Sequence, residues 1–152
     1  MSSYANYVER VRERRAAAKT QKENNEFQLR RAIGKLVEQV RSYASIPPDL
    51  GGALVICQHG NQSAAPVALE HLNDFPDDAT LRFGLRFSAI VGAQPLGVAV
   101  VPCEMMRTKM HGTFVLTIAG QQLDYVPDSV ESVDVADEVW NVLMREFDKL
   151  DD

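Results

Sequence analysis

Residues 80–91 read TLRFGLRFSAIV, and this stretch decides the fold class. Leu81, Phe83, Leu85, Phe87, Ala89 and Val91 alternate with Arg82, Gly84, Arg86 and Ser88. A period of two puts the apolar set on one face of a β-strand and the polar set on the other. A strand of this kind must pair with neighbours and bury its apolar face under a second layer. The rest of the chain is therefore read for pairing strands and for a covering layer.

Downstream, the loop GAQP leads to LGVAVV, residues 96–101, which reads as a returning strand. PCEMMRTKMHG, residues 102–112, is irregular and polar and reads as a loop. TFVLTIAG, residues 113–120, is a further strand with Phe114, Leu116 and Ile118 on one face. QLDYV, residues 122–126, pairs back through a tight turn near Gly120. Upstream, ALVIC, residues 53–57, reads as a short apolar strand. A short helix is expected over Pro66–Leu72, with Val67, Leu69 and Leu72 on its apolar face and Ser63 as a cap. Pro76-Asp77-Asp78 then resets the chain before the opening stretch.

The covering layer comes from the two ends. Residues 4–44 contain no proline and one glycine, Gly34, and are rich in good helix formers. Leu29, Ile33, Leu36, Val40 and Tyr43 recur at alternating spacings of four and three, a coiled-coil-like heptad seam. In the first half, Tyr4, Val8, Val11 and Ala18 keep this register, but Arg15, Lys22 and Asn25 interrupt it. Residues 1–25 thus read as a basic helical extension, with a break or fraying expected at Asn24-Asn25, and 26–152 as one domain. Pro47 and Pro48 end the helix. PDSVESVDVADEVWNVLMREFDKL closes the chain as an amphipathic helix capped by Ser132 or Asp134, with Ala136, Trp140, Leu143, Phe147 and Leu150 as its inner face. Closely spaced later strands favour an antiparallel meander. The expected fold is α+β: a long N-terminal helix, an antiparallel sheet of about four to five strands and a C-terminal helix packed on the sheet.

The 152 residues fit one domain, and 45% hydrophobic content is ordinary for a globular chain. No apolar run approaches the roughly 20 residues that a spanning helix needs. The start, MSSYANYVERVRERR, lacks an apolar signal core, and the two cysteines fit a reducing compartment, so a cytoplasmic protein without membrane partners is expected. The net charge of −5 hides an asymmetry. Residues 1–41 hold ten basic and five acidic side chains, a balance of +5. Residues 42–152 hold six basic and sixteen acidic, a balance of −10.

CQHGNQS, residues 57–63, sets a thiol and an imidazole two positions apart. Cys57 and His59 are the candidates for a nucleophile and its base, with Gln58, Asn61 and Ser63 close by. The run is neither a Gly-x-Ser-x-Gly elbow nor a cysteine-protease signature. It reads rather as a buried strand end followed by a turn. Cys57 and His59 with Cys103 and His111 would make a tetrahedral zinc set, but their spacings are not those of zinc motifs. The acidic run from Asp124 to Glu138 lacks the pattern of a calcium loop, and no phosphate-binding loop occurs. No cofactor is expected.

Binding residues are more numerous. Arg10, Arg14, Arg15, Lys19 and Lys22 share one broad side of the N-terminal helix. This surface suits an acidic protein or, alternatively, nucleic-acid phosphates. Arg82 and Arg86 flank Gly84 on the polar strand face as a second docking patch. Met105, Met106 and Met110, placed in the expected loop, form a third, since methionines adapt to varied partners. Small size, acidity and flanking helices are similar to those of the small acidic chaperones that bind secreted effectors, a resemblance of composition with no motif behind it. The sequence-level expectation is a non-enzymatic protein-binding, adaptor or chaperone-like homodimer. The alternatives are a small Cys/His-centred enzyme or zinc protein and a weak nucleic-acid binder.

Overall fold

The computed structural model describes residues 3–60, 65–91 and 94–151. Helix α1 runs unbroken over Tyr4–Tyr43. Its N-cap is Ser3, whose Oγ accepts from the Asn6 amide. The expected break at Asn24-Asn25 does not occur. Asn25 is buried instead, and its carboxamide accepts from Gln21 one turn earlier, so the side chain is satisfied without leaving the helix. Before Asn25 no α1 residue is buried; after it Leu29, Ile33, Leu36 and Val40 are all 0% exposed. Full burial of each such side chain stabilises by about 1.5–3 kcal/mol. Tyr43 continues the seam in sequence but is 43% exposed and reaches Asp137 through its hydroxyl.

After a 3-10 segment at Pro48–Ala53 come β1 (Leu54–Cys57), β2 (Asp74–Asp77), β3 (Thr80–Val91), β4 (Gln94–Arg107), β5 (Phe114–Ile118) and β6 (Gln121–Tyr125). The sheet order is β1-β3-β4-β5-β6, all antiparallel. Strand β2 pairs with Thr80 and Arg82 of β3, so β1 and β2 share one edge of β3. Helix α2 (Ser132–Asp148) completes the chain. Both helices cover the face carrying Leu81, Phe83, Leu85 and Phe87, together with Val101, Cys103, Met105 and Leu116. Phe87 makes edge-to-face contacts with Trp140 and Phe147 of α2, at centroid distances of 5.3 and 5.2 Å. The α+β architecture is thus as expected, with a sheet of six strands in all.

Four local readings are corrected. Residues 102–107 are not a loop but the second half of β4, which runs on through Pro102 to pair with β5 from Cys103. A proline is tolerated there because β5 begins only at the next residue, leaving one side of β4 without a ladder partner at Pro102. The expected helix over Pro66–Leu72 shrinks to a 3-10 turn at Leu69–His71. Pro66 instead bridges Cys57, and the Val67 amide donates to the Ile56 carbonyl, so the chain lies along β1. Strand β2 forms where a mere reset was read, because the Asp78-Ala79 turn returns it onto β3. Helix α2 starts at a Glu131 N-cap with no side-chain cap, and Val135, Val139 and Val142 join Ala136 and Leu143 in its buried face, while Leu150 is 51% exposed.

Two arginines of α1 fix it to the sheet layer. Arg41 donates to the carbonyls of Leu54 and Gly51. Arg30 donates through both Nε and Nη2 to the Leu72 carbonyl, and its guanidinium lies over the Phe75 ring. Charge-assisted bonds of this kind are roughly twice as strong as neutral ones.

Candidate functional site

The pairing register decides whether Cys57, His59, Cys103 and His111 meet. Cys57 stands opposite Gly84, which stands opposite Pro102. Directly opposed residues of a sheet share a face. Cys57 therefore points to the face away from the helices, and its Sγ would lie 2.7 Å from a Cβ at Gly84. Cys103 stands opposite Phe83 and points into the helix-covered core. The two thiols are on opposite faces of one sheet, both buried and free. Burial pushes the Cys103 thiol far up, with Cys57 behind it adding to the rise. Burial also raises Cys57, against a smaller opposing pull from Arg86. Both shifts act against the thiolate that nucleophilic chemistry needs.

His59 does not bond to Cys57. Its Nδ1 lies 3.8 Å from Asp74 Oδ2, and the neighbouring Gln58 donates to the His71 carbonyl, so this turn is tied to the segment before β2. His111 sits after β4, exposed, on the wall of a groove against α1. Among the described residues no group of three or more His, Cys, Asp or Glu side chains is placed to hold a metal ion. Asn61, Gln62 and Ser63 lie outside the described residues.

The binding candidates fare differently from one another. Arg10, Arg14, Arg15, Lys19 and Lys22 are all exposed on the part of α1 that precedes the core. Lys22 borders a hollow shared with Glu26, Arg30 and Asp77-Asp78 of the β2–β3 turn. Arg82 and Arg86 are half-buried on the helix-free face. Arg82 is neutralised by Glu104, with Nε 2.9 Å from Oε1, so the expected pair of open arginines is not presented. The three methionines are separated by the strand that replaced the loop. Met105 is fully buried in the core, Met106 is half-exposed on the opposite face, and Met110 alone is in a loop, 71% exposed.

Two features escaped the sequence reading. A groove of about 510 Å³ runs between α1 and the β4–β5 loop, with Phe27, Phe114 and Val126 as apolar lining and Arg31, Lys35 and His111 among its polar residues. Lys35 bonds to Asp128 across one end and holds that carboxyl below its usual range. The lining comes from separated segments, so no local motif could have announced it. The second is the half of β4 before Cys103, which has β3 on one side and, among the described residues, no strand on the other. Comparison with models of protein families, with curated proteins and with solved structures found no match to this chain.

Proposed function

We propose that this protein is a non-enzymatic, homodimeric binding protein of the adaptor or chaperone-like type, and that the first half of α1 is its arm for an acidic surface of another protein. The observation that supports this reading is the arm itself. Residues 3–24 hold six basic and three acidic side chains and no buried residue, while residues 42–152 carry a balance of −10. This half of α1 has no packed face of its own, so a partner that covers it also stabilises it. Protein is favoured over nucleic acid as the partner. The acidic body would repel a phosphate backbone, and Glu9, Glu13 and Glu23 interrupt the basic side.

The test uses the full chain with polyglutamate and duplex DNA as probes. Polyglutamate should bind at low ionic strength and weaken steeply as salt is added. A variant with Arg10, Arg14, Arg15 and Lys19 all changed to Gln should bind it at least about tenfold more weakly. Equal affinity of the variant, or no binding by the native chain, would overturn the reading. Tighter binding of DNA than of polyglutamate would replace it with nucleic-acid binding.

A further inference from the structure

The structure points to the free edge of β4 as the surface on which a second copy of this chain docks. We infer that Leu96–Val100 pairs antiparallel with the same segment of the second copy, joining the two sheets into one. This deepens the homodimer part of the reading above and does not depend on what the arm binds.

The sheet leaves its edges in different states. β1 is lined by Pro66 and Val67, which bridge Cys57 and bond to Ile56. β2 is short and carries Asp74, Pro76 and Asp77. β6 exposes Gln121, Gln122 and Asp124. Charges, prolines and short strands of this kind are how natural sheets prevent edge-to-edge pairing. β4 differs. Between Pro95 and Pro102 it reads LGVAVV, six residues with neither a charge nor a proline, with a register shift against β3 at Leu96-Gly97. β5 reaches only Cys103, so among the described residues this length keeps an unpaired side.

The same segment is apolar and exposed. Leu96 is 70% exposed, Val98 37% and Val100 39%; Val98 and Val100 stand opposite Ser88 and Arg86 on the helix-free face, alternating with the core-facing Ala99 and Val101, and Leu96 lies just beyond them, where the register against β3 shifts. Leu150 after α2, 51% exposed, lies against Gly97 on the helix-covered side of the same edge. Exposed apolar surface beside an unpaired edge marks an interaction site.

A copy of the same strand fits because the segment is uncharged and so meets no like charge when it faces itself. Opposed residues must share a face, so the two-fold axis falls on a residue. Pro102 and the Ala119-Gly120 turn beyond β5 confine the pairing to the stretch before them, which centres the axis on Gly97 or Val98. Leu96 then stands opposite the second copy's Val98 or Val100. Both helix layers end up on the same side of the joined sheet.

Sedimentation equilibrium of the full chain at tens of micromolar should return twice 16.9 kDa. Leu96→Lys and Val98→Lys each put a charge at this edge and should weaken self-association at least about tenfold, with far-UV circular dichroism unchanged. Should one of them unfold, the other carries the test. A Leu96→Cys/Val98→Cys double variant should oxidise to a covalent dimer, and Met110→Cys should not. A monomer at these concentrations, a dimer indifferent to both lysine variants, or failure of the double variant to cross-link in a dimeric protein would each overturn the inference. Dimerisation lost on neutralising the arm, but not on altering β4, would move the interface to α1. Failure of polyglutamate binding leaves this inference standing, because none of these measurements involves the arm's partner.

Discussion

Gly84→Ala should destabilise the protein, and Cys57→Ala in the same chain should remove most of that loss. A Cβ at position 84 would lie 2.7 Å from Cys57 Sγ and 3.6 Å from the Gln58 carbonyl oxygen. The sulfur has no free room to yield, since Cys57 is 0% exposed and pinned between β3 and Pro66. Overpacking of this kind costs about 1–3 kcal/mol. The lost flexibility of the unfolded chain returns up to about 1 kcal/mol, so a net loss of about 1–2 kcal/mol is expected. Cys57→Ala alone should cost about 1 kcal/mol, the loss from removing one buried methylene-sized group. In the double variant the new methyl occupies the space the sulfur vacated. The two effects should therefore couple by about 1–2 kcal/mol, leaving the double variant near the Cys57→Ala single. Urea unfolding followed by circular dichroism measures each free energy, and melting temperature should move by about 2–4 °C per kcal/mol for a chain of this size. Additivity within about 0.5 kcal/mol would refute the reasoning, because it would mean that Cys57 does not stand over Gly84 and that the β1–β3 register is different.

Two further outcomes test the packing of α1 on β6. Tyr125 is fully buried and donates its hydroxyl to Gln39 Oε1 at 2.6 Å, while Gln39 donates onward to the Pro127 carbonyl. Tyr125→Phe should cost about 1 kcal/mol in urea unfolding, and an unchanged midpoint would show that the bond adds nothing. Asp128 is held below its usual value by the hydrogen bond and the charge of Lys35. Its contribution is fully present above the unfolded-state value of about 3.9 and is lost as pH falls through the lower folded value. The stability gap between the native chain and Lys35→Met should accordingly close as pH drops from about 6 to about 2; a gap constant across that range would exclude the pair as its source.

The fold was legible wherever one period ran long enough. The alternation over 81–87 and the heptad over 29–40 each pointed an element at the core, and the structure buries them accordingly; past Phe87 the alternation fails at a register shift against β4, with Ser88 1% and Val91 65% exposed. The β5–β6 hairpin was visible from Gly120, whose positive φ of 77°, with 51° at Ala119, makes the tight turn. Elsewhere local chemistry misled. Val101, Cys103 and Met105 alternate as a strand should, but Pro102, Glu104 and Arg107 gave the segment a loop's composition. Leu69 and Leu72 stand one helical turn apart, yet Pro66 found a tertiary partner in Cys57 and drew the chain out. The Cys/His question was beyond sequence in principle. Which face each thiol occupies depends on cross-strand register, and residues 57, 84 and 103 carry no local mark of it.

The unbroken α1, held by Arg30 and Arg41 to backbone carbonyls, has a mechanical consequence. The arm from Tyr4 to Asn24 is about 31 Å long at 1.5 Å per residue, and the two fixed points are about 16 Å apart. A load applied at Tyr4 thus acts on a lever about twice as long as its seat. Helices bend sharply only at identifiable defects, and α1 has no proline at which to yield. The tip lies about 39 Å from Arg30, so a sideways force on it would be delivered more than doubled to the Leu54 carbonyl and roughly tripled to the Leu72 carbonyl. Those are the points where β1 begins and where the chain enters β2, so strain gathered at the tip would be felt first at the short-strand edge of the sheet.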